Sequence, residues 1–165
     1  MKKSIYILSL IVLFASCKSS SVVTQTSSEN KEENSNQIID KIITTAEENI
    51  GIKYKAAGTT KSGYDCSGLV YSTFAMYDID LPRSSYEQSK IGIELGQNLK
   101  KAKKGDLIFF KTNRKSQINH VGIVITVEDD NIKFIHSSTS RGVIISSTKE
   151  PYYQNTFVQL NRILK

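Results

Sequence analysis

The apolar residues of this chain change period near Gly105, and that change limits what it can fold into. Before it they recur at helical spacing. After it they alternate or gather in short β-branched and aromatic runs. Ile38, Ile39, Ile42, Ile43 and Ala46 share one helical face, with Asp40, Lys41, Glu47 and Glu48 opposite and Asn36 placed as N-cap. That helix is expected to end near Asn49, with Gly51 as its stop. Leu69, Val70, Phe74 and Tyr77 make a second helical face that begins at Cys66 and ends before Pro82. Ser84-Ser85-Tyr86-Glu87 reads as a capping box opening a short helix to about Ile91. Residues 52–54 read as extended, 56–63 as loop and 92–105 as irregular and basic. Strands are expected at 106–111, 120–127, 131–137, 142–147 and 157–164, with turn chemistry at 128–131, 138–141 and 149–151. Helices first and strands later predict an α+β domain, N-terminal helices packed on an antiparallel β-sheet.

The 165 residues, 39% hydrophobic and 23% charged, suit one domain with extensions. The N-terminus reads as an address. Lys2 and Lys3 precede an apolar stretch at 5–15, interrupted by Tyr6 and Ser9, and Ala15-Ser16 place small residues before Cys17. The stretch is shorter than the about 20 residues that span a bilayer, so it reads as a signal peptide. Leu13-Phe14-Ala15-Ser16-Cys17 resembles a bacterial lipobox, with Phe14 unusual at its position. That resemblance implies cleavage before Cys17 and a diacylglyceryl thioether on its sulfur. An ordinary secretory signal with an incidental cysteine is the alternative. Residues 18–36 are rich in Ser, Thr, Asn, Gln and Glu, and read as a flexible tether spanning roughly 25 Å.

The formal charge is +6, and without Lys2 and Lys3 the 22 basic residues fall to 20 against 16 acidic. Lys100, Lys101, Lys103 and Lys104 cluster, but no nucleic-acid recognition motif accompanies them. They read as a solvated turn or a weak attraction to an anionic polymer or membrane surface. Nucleic acid is not an expected partner.

Two cysteines are present. Lipid on Cys17 leaves Cys66 without a partner in the chain, and a lone thiol in an exported protein is a candidate reactive group. Cys66 sits between a glycine-dotted loop (Gly58 to Gly63) and the second helix. The unpaired N–H groups at a helix start favour a thiolate, so a lowered thiol pKa is expected. A buried structural thiol is the competing reading. The two histidines, His120 and His136, flank a turn centred on residue 128. Both numbers are even, so an in-register hairpin places both rings on one face. One imidazole then deprotonates a thiol and the second orients the first. A zinc set of Cys66, His120 and His136 is the alternative, though it lacks the tight spacing of structural zinc sites.

Six linked motifs then resemble one family. They are Asp65-Cys66-Ser67-Gly68-Leu69-Val70, Leu81-Pro82-Arg83-Ser84-Ser85 with Gln88, Gly105-Asp106-Leu107-Ile108-Phe109-Phe110, His120-Val121-Gly122-Ile123, Phe134-Ile135-His136-Ser137-Ser138 and Gly142-Val143. In order and spacing they are similar to the NlpC/P60 cysteine peptidases. The resemblance implies a papain-like α+β fold at 37–165, after a signal peptide at 1–16 and a lipidated cysteine with tether at 17–36. It implies an enzyme that cuts stem-peptide or cross-link amides in peptidoglycan, with Cys66 as nucleophile, His120 as base and later acid, and His136 as third polar residue. It gives Tyr54 a place near the oxyanion, Asp65 and Ser67 a place against the substrate peptide, and Arg83 and Ser84 a place along the groove. No metal or organic cofactor is implied, and a monomer is expected. The family's aromatic and glycine after the tyrosine are replaced by Ala56 and Ala57, which touches substrate detail. Lys18 after the lipid cysteine favours the periplasmic face of an outer membrane, or the outside of the plasma membrane in a Gram-positive host. A non-catalytic wall-binding lipoprotein and an amidase or acyltransferase remain as other uses of the same scaffold.

Overall fold

The structure, a computed structural model, describes residues 23–114 and 116–164, with side chains from Glu32 onward. Its helices are α1 (Val23–Glu47), α2 (Cys66–Ala75), α3 (Ser85–Gln88) and α4 (Pro151–Thr156). Its strands are β1 (Thr59–Thr60), β2 (Gly63–Tyr64), β3 (Ile93–Gly96), β4 (Leu107–Phe110), β5 (His120–Glu128), β6 (Asn131–Ser138), β7 (Gly142–Ser147) and β8 (Phe157–Arg162). The last six form one sheet in the order β3-β8-β4-β5-β6-β7, every pair antiparallel. β1 and β2 make a small hairpin just ahead of α2. The α+β expectation holds.

The sheet is covered on both faces, and this is why Leu107 to Phe110 is an unbroken apolar run buried at every position. Leu107 and Phe109 face α1 and α2, where Ile42, Ala46, Leu69, Val70 and Phe74 pack against Val121, Ile123 and Ile135. Ile108 and Phe110 face the other way, with Val124, Ile132, Phe134, Leu160 and Tyr153. Each of these large side chains contributes about 1.5–3 kcal/mol by leaving water. The strand period thus divides one sheet into two cores.

Three features differ from the expectations. α1 starts at Val23, so residues 23–36 are helical and the reading of a flexible tether is corrected there. Docking Ile42, Ile43 and Ala46 nucleates the helix, and adding turns to a formed helix is easy. No glycine or proline interrupts residues 18–49. Cys17 and the signal segment lie outside the described residues. Second, residues 92–105 hold β3, which pairs with β8, and 59–64 hold the β1–β2 hairpin. Strands this short carry no readable period. Third, Pro151 opens α4 from its first turn, where a missing N–H costs nothing. Among the described residues no helix is long and apolar enough to cross a membrane.

Candidate active site

Asp65 sets the start of α2. Its backbone is extended (φ −89°, ψ 175°) and its Oδ1 accepts from the Gly68 N–H at 2.6 Å. Cys66 is thereby the first residue of the helix. Gly68 is required by a close approach: a Cβ there would lie 2.0 Å from the Gly58 carbonyl oxygen. The loop after Tyr54 therefore packs directly on the first turn of α2. The same loop keeps a glycine-like backbone at Ala57, with φ +57°.

Arg83 clamps this turn from the other side. Nη1 donates to Asp65 Oδ1 at 2.9 Å and Nη2 donates to Oδ2 at 2.7 Å, a two-pronged fork. Nη1 also donates to Ser67 Oγ at 3.0 Å. The buried Gln88 donates through Nε2 to Ser67 O at 3.1 Å and to Pro82 O at 2.8 Å. Ser84 is the N-cap of α3, its hydroxyl accepting from the Glu87 N–H at 3.2 Å. In this structure Asp65, Ser67 and Arg83 thus hold each other and the start of α2, while Ser84 holds the start of α3.

The Cys66 thiol donates to the Asn119 carbonyl at 3.8 Å, one residue ahead of His120. That carbonyl is fixed because the Asn119 side chain accepts from Thr112 N–H at 2.8 Å and donates to Thr112 Oγ1 at 2.9 Å. Burial pushes the thiol up, to about 11, and the Asp65 carboxylate adds to the rise. Backbone N–H groups of Val121, Ser67 and Cys66 itself pull it down, but less. The expected lowered pKa is corrected: the helix start stabilises the anion, and loss of solvent outweighs it. Tyr54 is half-buried and bridges to Tyr64. Burial raises its phenol, and the charges of Cys66 and Asp65 raise it further.

The two histidines meet by a less direct route than an in-register hairpin. Next to the turn, Glu128 pairs with Asn131 and Thr126 with Lys133. A bulge then inserts Ile125, and Val124 pairs with Phe134 and Ile123 with Ile135. The extra residue restores even parity, so His120 and His136 share a face, offset diagonally by two residues. Without the bulge they would point to opposite faces. Gly122 stands across from His136 in this register. A Cβ there would lie 2.8 Å from Phe134 Cδ2 and 3.3 Å from His136 Cβ, so only a bare backbone lets the ring lean toward His120.

His120 Nε2 and His136 Nδ1 are 2.9 Å apart, with the rings nearly perpendicular. His136 Nε2 is met by Tyr153 Oη at 3.0 Å and Ser146 Oγ at 3.2 Å. Burial lowers His120 to about 4. Burial first, then the charges of His120 and Arg141, lower His136 to about 2. Burial thus disfavours the charged form of the thiol and of both imidazoles. Among the described residues no group of three or more His, Cys, Asp or Glu is placed to hold a metal ion. Asn119, Ser146 and Tyr153 escaped the sequence reading. The only local signal was for Asn119, beside a histidine.

The fold is of the α+β class, with a cysteine at a helix start and two hydrogen-bonded histidines on an antiparallel sheet. The sequence model of the NlpC/P60 family matches residues 51–162, and the chain belongs to that family. A probable endopeptidase NlpC homolog of Haemophilus influenzae is 43% identical over 116 residues, 70% of this chain and 57% of that protein. The murein DD-endopeptidase MepS/murein LD-carboxypeptidase of Escherichia coli K12 is 41% identical over 115 residues, covering 69% of this chain and 57% of its own length. The matched region thus spans somewhat over half of these curated relatives. An NlpC/P60 family protein of Bacillus cereus superposes with a TM-score of 0.68 at 33% identity, covering 77% of this chain and 40% of that one.

Proposed function

We propose that the protein is a peptidoglycan endopeptidase of the bacterial envelope that cuts stem-peptide or cross-link amides. The observation that carries this is the buried hydrogen bond between His120 and His136, with Cys66 at the start of α2 donating to the carbonyl of Asn119, the residue before His120. The similarity to murein and NlpC endopeptidases supports the substrate. His136 occupies Nε2 of His120, so Nδ1 is the nitrogen left to take the thiol proton. Burial disfavours the charged form of both groups, which favours proton transfer in step with attack on the carbonyl carbon. The oxyanion is met by the Cys66 N–H and by Tyr54. His120, now imidazolium, protonates the leaving amine, and water releases the acyl-enzyme as His120 again takes a proton. Asp65, Ser67, Arg83 and Ser84 shape the groove wall through the network that fixes the first turns of α2 and α3. The protein acts as a monomer without cofactor, anchored by lipid on Cys17 and, in a cell with an outer membrane, facing the periplasm.

The test is digestion of purified sacculi by wild type and Cys66→Ala, followed by muropeptide mass analysis. Loss of low-mass products in the variant is the expected result. Identical profiles overturn the catalytic reading, and sacculus binding without cleavage by wild type favours a wall-binding role. Activity retained in excess chelator disposes of the zinc alternative.

A further inference from the structure

The hydrogen-bond chain from His120 continues past His136. A base that takes the thiol proton on Nδ1 must carry its own proton on Nε2, so His120 Nε2–H donates to His136 Nδ1. His136 must then hold its proton on Nε2. In the other tautomer two N–H groups would face each other across 2.9 Å. Two hydroxyls converge on that nitrogen: Tyr153 Oη at 3.0 Å and Ser146 Oγ at 3.2 Å.

We propose that Tyr153 is a positioning residue for this reaction: its hydroxyl, with that of Ser146, accepts the Nε2 proton of His136 and so fixes the tautomer in which His120 is a base at Nδ1. This rests on the reading of Cys66 and His120 given above. Tyr153 is 4% exposed and its ring is wedged among Phe110, Phe134 and His136, with centroids 5.0–5.3 Å apart. The phenol is therefore held in place, and α4, opened by Pro151, carries it. Ser146 comes from β7 and is also buried. The charged and titratable groups that act on His136 and Tyr153 are His120 on β5, Arg141 in the β6–β7 turn, and Glu150 and Tyr152 around α4. Glu150 is drawn aside by the Ser147 N–H, which donates to its Oε1 at 2.8 Å. Among the described residues, the ring nitrogens of His136 are met by His120, Ser146 and Tyr153, so His136 holds the place where a carboxylate would orient the base in other triads, and two neutral hydroxyls orient His136 in turn.

The chain has two histidines, so ¹⁵N-histidine labelling of the full-length protein gives one ring pair each, assigned through His136→Gln. His136 is expected as the Nε2–H tautomer in wild type. Tyr153→Phe keeps the ring and removes one acceptor. With Ser146→Ala added, His136 is expected to shift toward Nδ1–H. In parallel kcat on sacculus-derived peptides is expected to fall roughly tenfold for Tyr153→Phe with KM unchanged, a loss of the size of one hydrogen bond. Wild-type His136 found as Nδ1–H overturns the proposal. So does a tautomer that stays put in the double variant, or a kcat that stays put while the tautomer moves. If wild type cleaves nothing, the functional reading falls by itself, and the spectrum still decides whether Tyr153 sets the tautomer.

Discussion

At the scale of single residues, Asp65 acts in two opposed ways. As N-cap and partner of Arg83 it holds Cys66 in place. As a charge it raises the thiol. The two can be separated, because asparagine caps a helix about as well as aspartate. Asp65→Asn keeps the cap but gives up one prong and the charge of the Arg83 fork, so it is expected to lower the melting temperature slightly and to lower the thiol pKa, read as a faster rise of iodoacetamide alkylation with pH. An unmoved profile would mean that burial alone sets the thiol. Ala57 gives a second residue-scale prediction. Its left-handed backbone costs a non-glycine residue about 1–2 kcal/mol, part of which glycine returns through unfolded-chain entropy. Ala57→Gly is expected to raise stability by up to about 1 kcal/mol in urea titration, without shifting the loop. The sequence showed Ala57 as a substitution for glycine, and the backbone bears the mark of it. Cys66, His120 and His136 were readable because their side chains carry chemistry. Tyr153 was not, since its role depends on a chain reversal that brings residue 153 beside residue 136.

At the scale of elements, the β5–β6 hairpin shows how parity and register can part. Even numbering predicted a shared face, which the structure has. The turn at Asp129 and Asp130 is centred about one and a half residues after the midpoint, and the bulge at Ile125 restores the parity. Neither adjustment has a sequence signature, because valine, isoleucine and threonine suit a strand whatever its partner. Gly122 carries the consequence. Gly122→Ala puts a methyl against Phe134, the Ile135 carbonyl and His136, and overpacking of this kind costs about 1–3 kcal/mol. It is expected to lower the urea midpoint and to weaken cleavage more than its stability loss explains, by pushing His136 off His120. Equal activity at a temperature where both proteins are folded would count against that. In α1 the docked residues were readable by period, whereas the polar turns before them were not. They are helical by continuation, with Glu32, Glu33, Asn34 and Asn36 exposed.

At the scale of the whole molecule, the two buried histidines tie folding to pH. In the unfolded chain each titrates near its ordinary value of 6.5. In the fold burial lowers His120 to about 4 and His136 to about 2. Above about pH 6.5 both states carry neutral imidazoles, and stability does not depend on them. Below it the unfolded chain binds protons that the fold refuses, so stability falls as pH falls. The loss continues until the fold itself takes up protons, near pH 4 for His120 and lower for His136. With two histidines in play the slope approaches 2.7 kcal/mol per pH unit, since each proton contributes about 1.36. The decline therefore begins above the range in which ordinary carboxylates titrate, and between pH 6 and 5 it reports the histidine pair. Urea midpoints across pH 7.5 to 4.5 measure it. His136→Gln removes one titrating group while keeping a side chain that can hydrogen-bond His120, so its slope should be about half that of wild type. Equal slopes for the two proteins would mean that His136 is not buried neutral, and the orienting role drawn from its geometry would go with it. Proton uptake by the folded chain is a separate event that disarms the base, so on acidification stability is expected to fall first, from pH 6.5, and the chemistry of the surviving folded fraction only as His120 approaches 4.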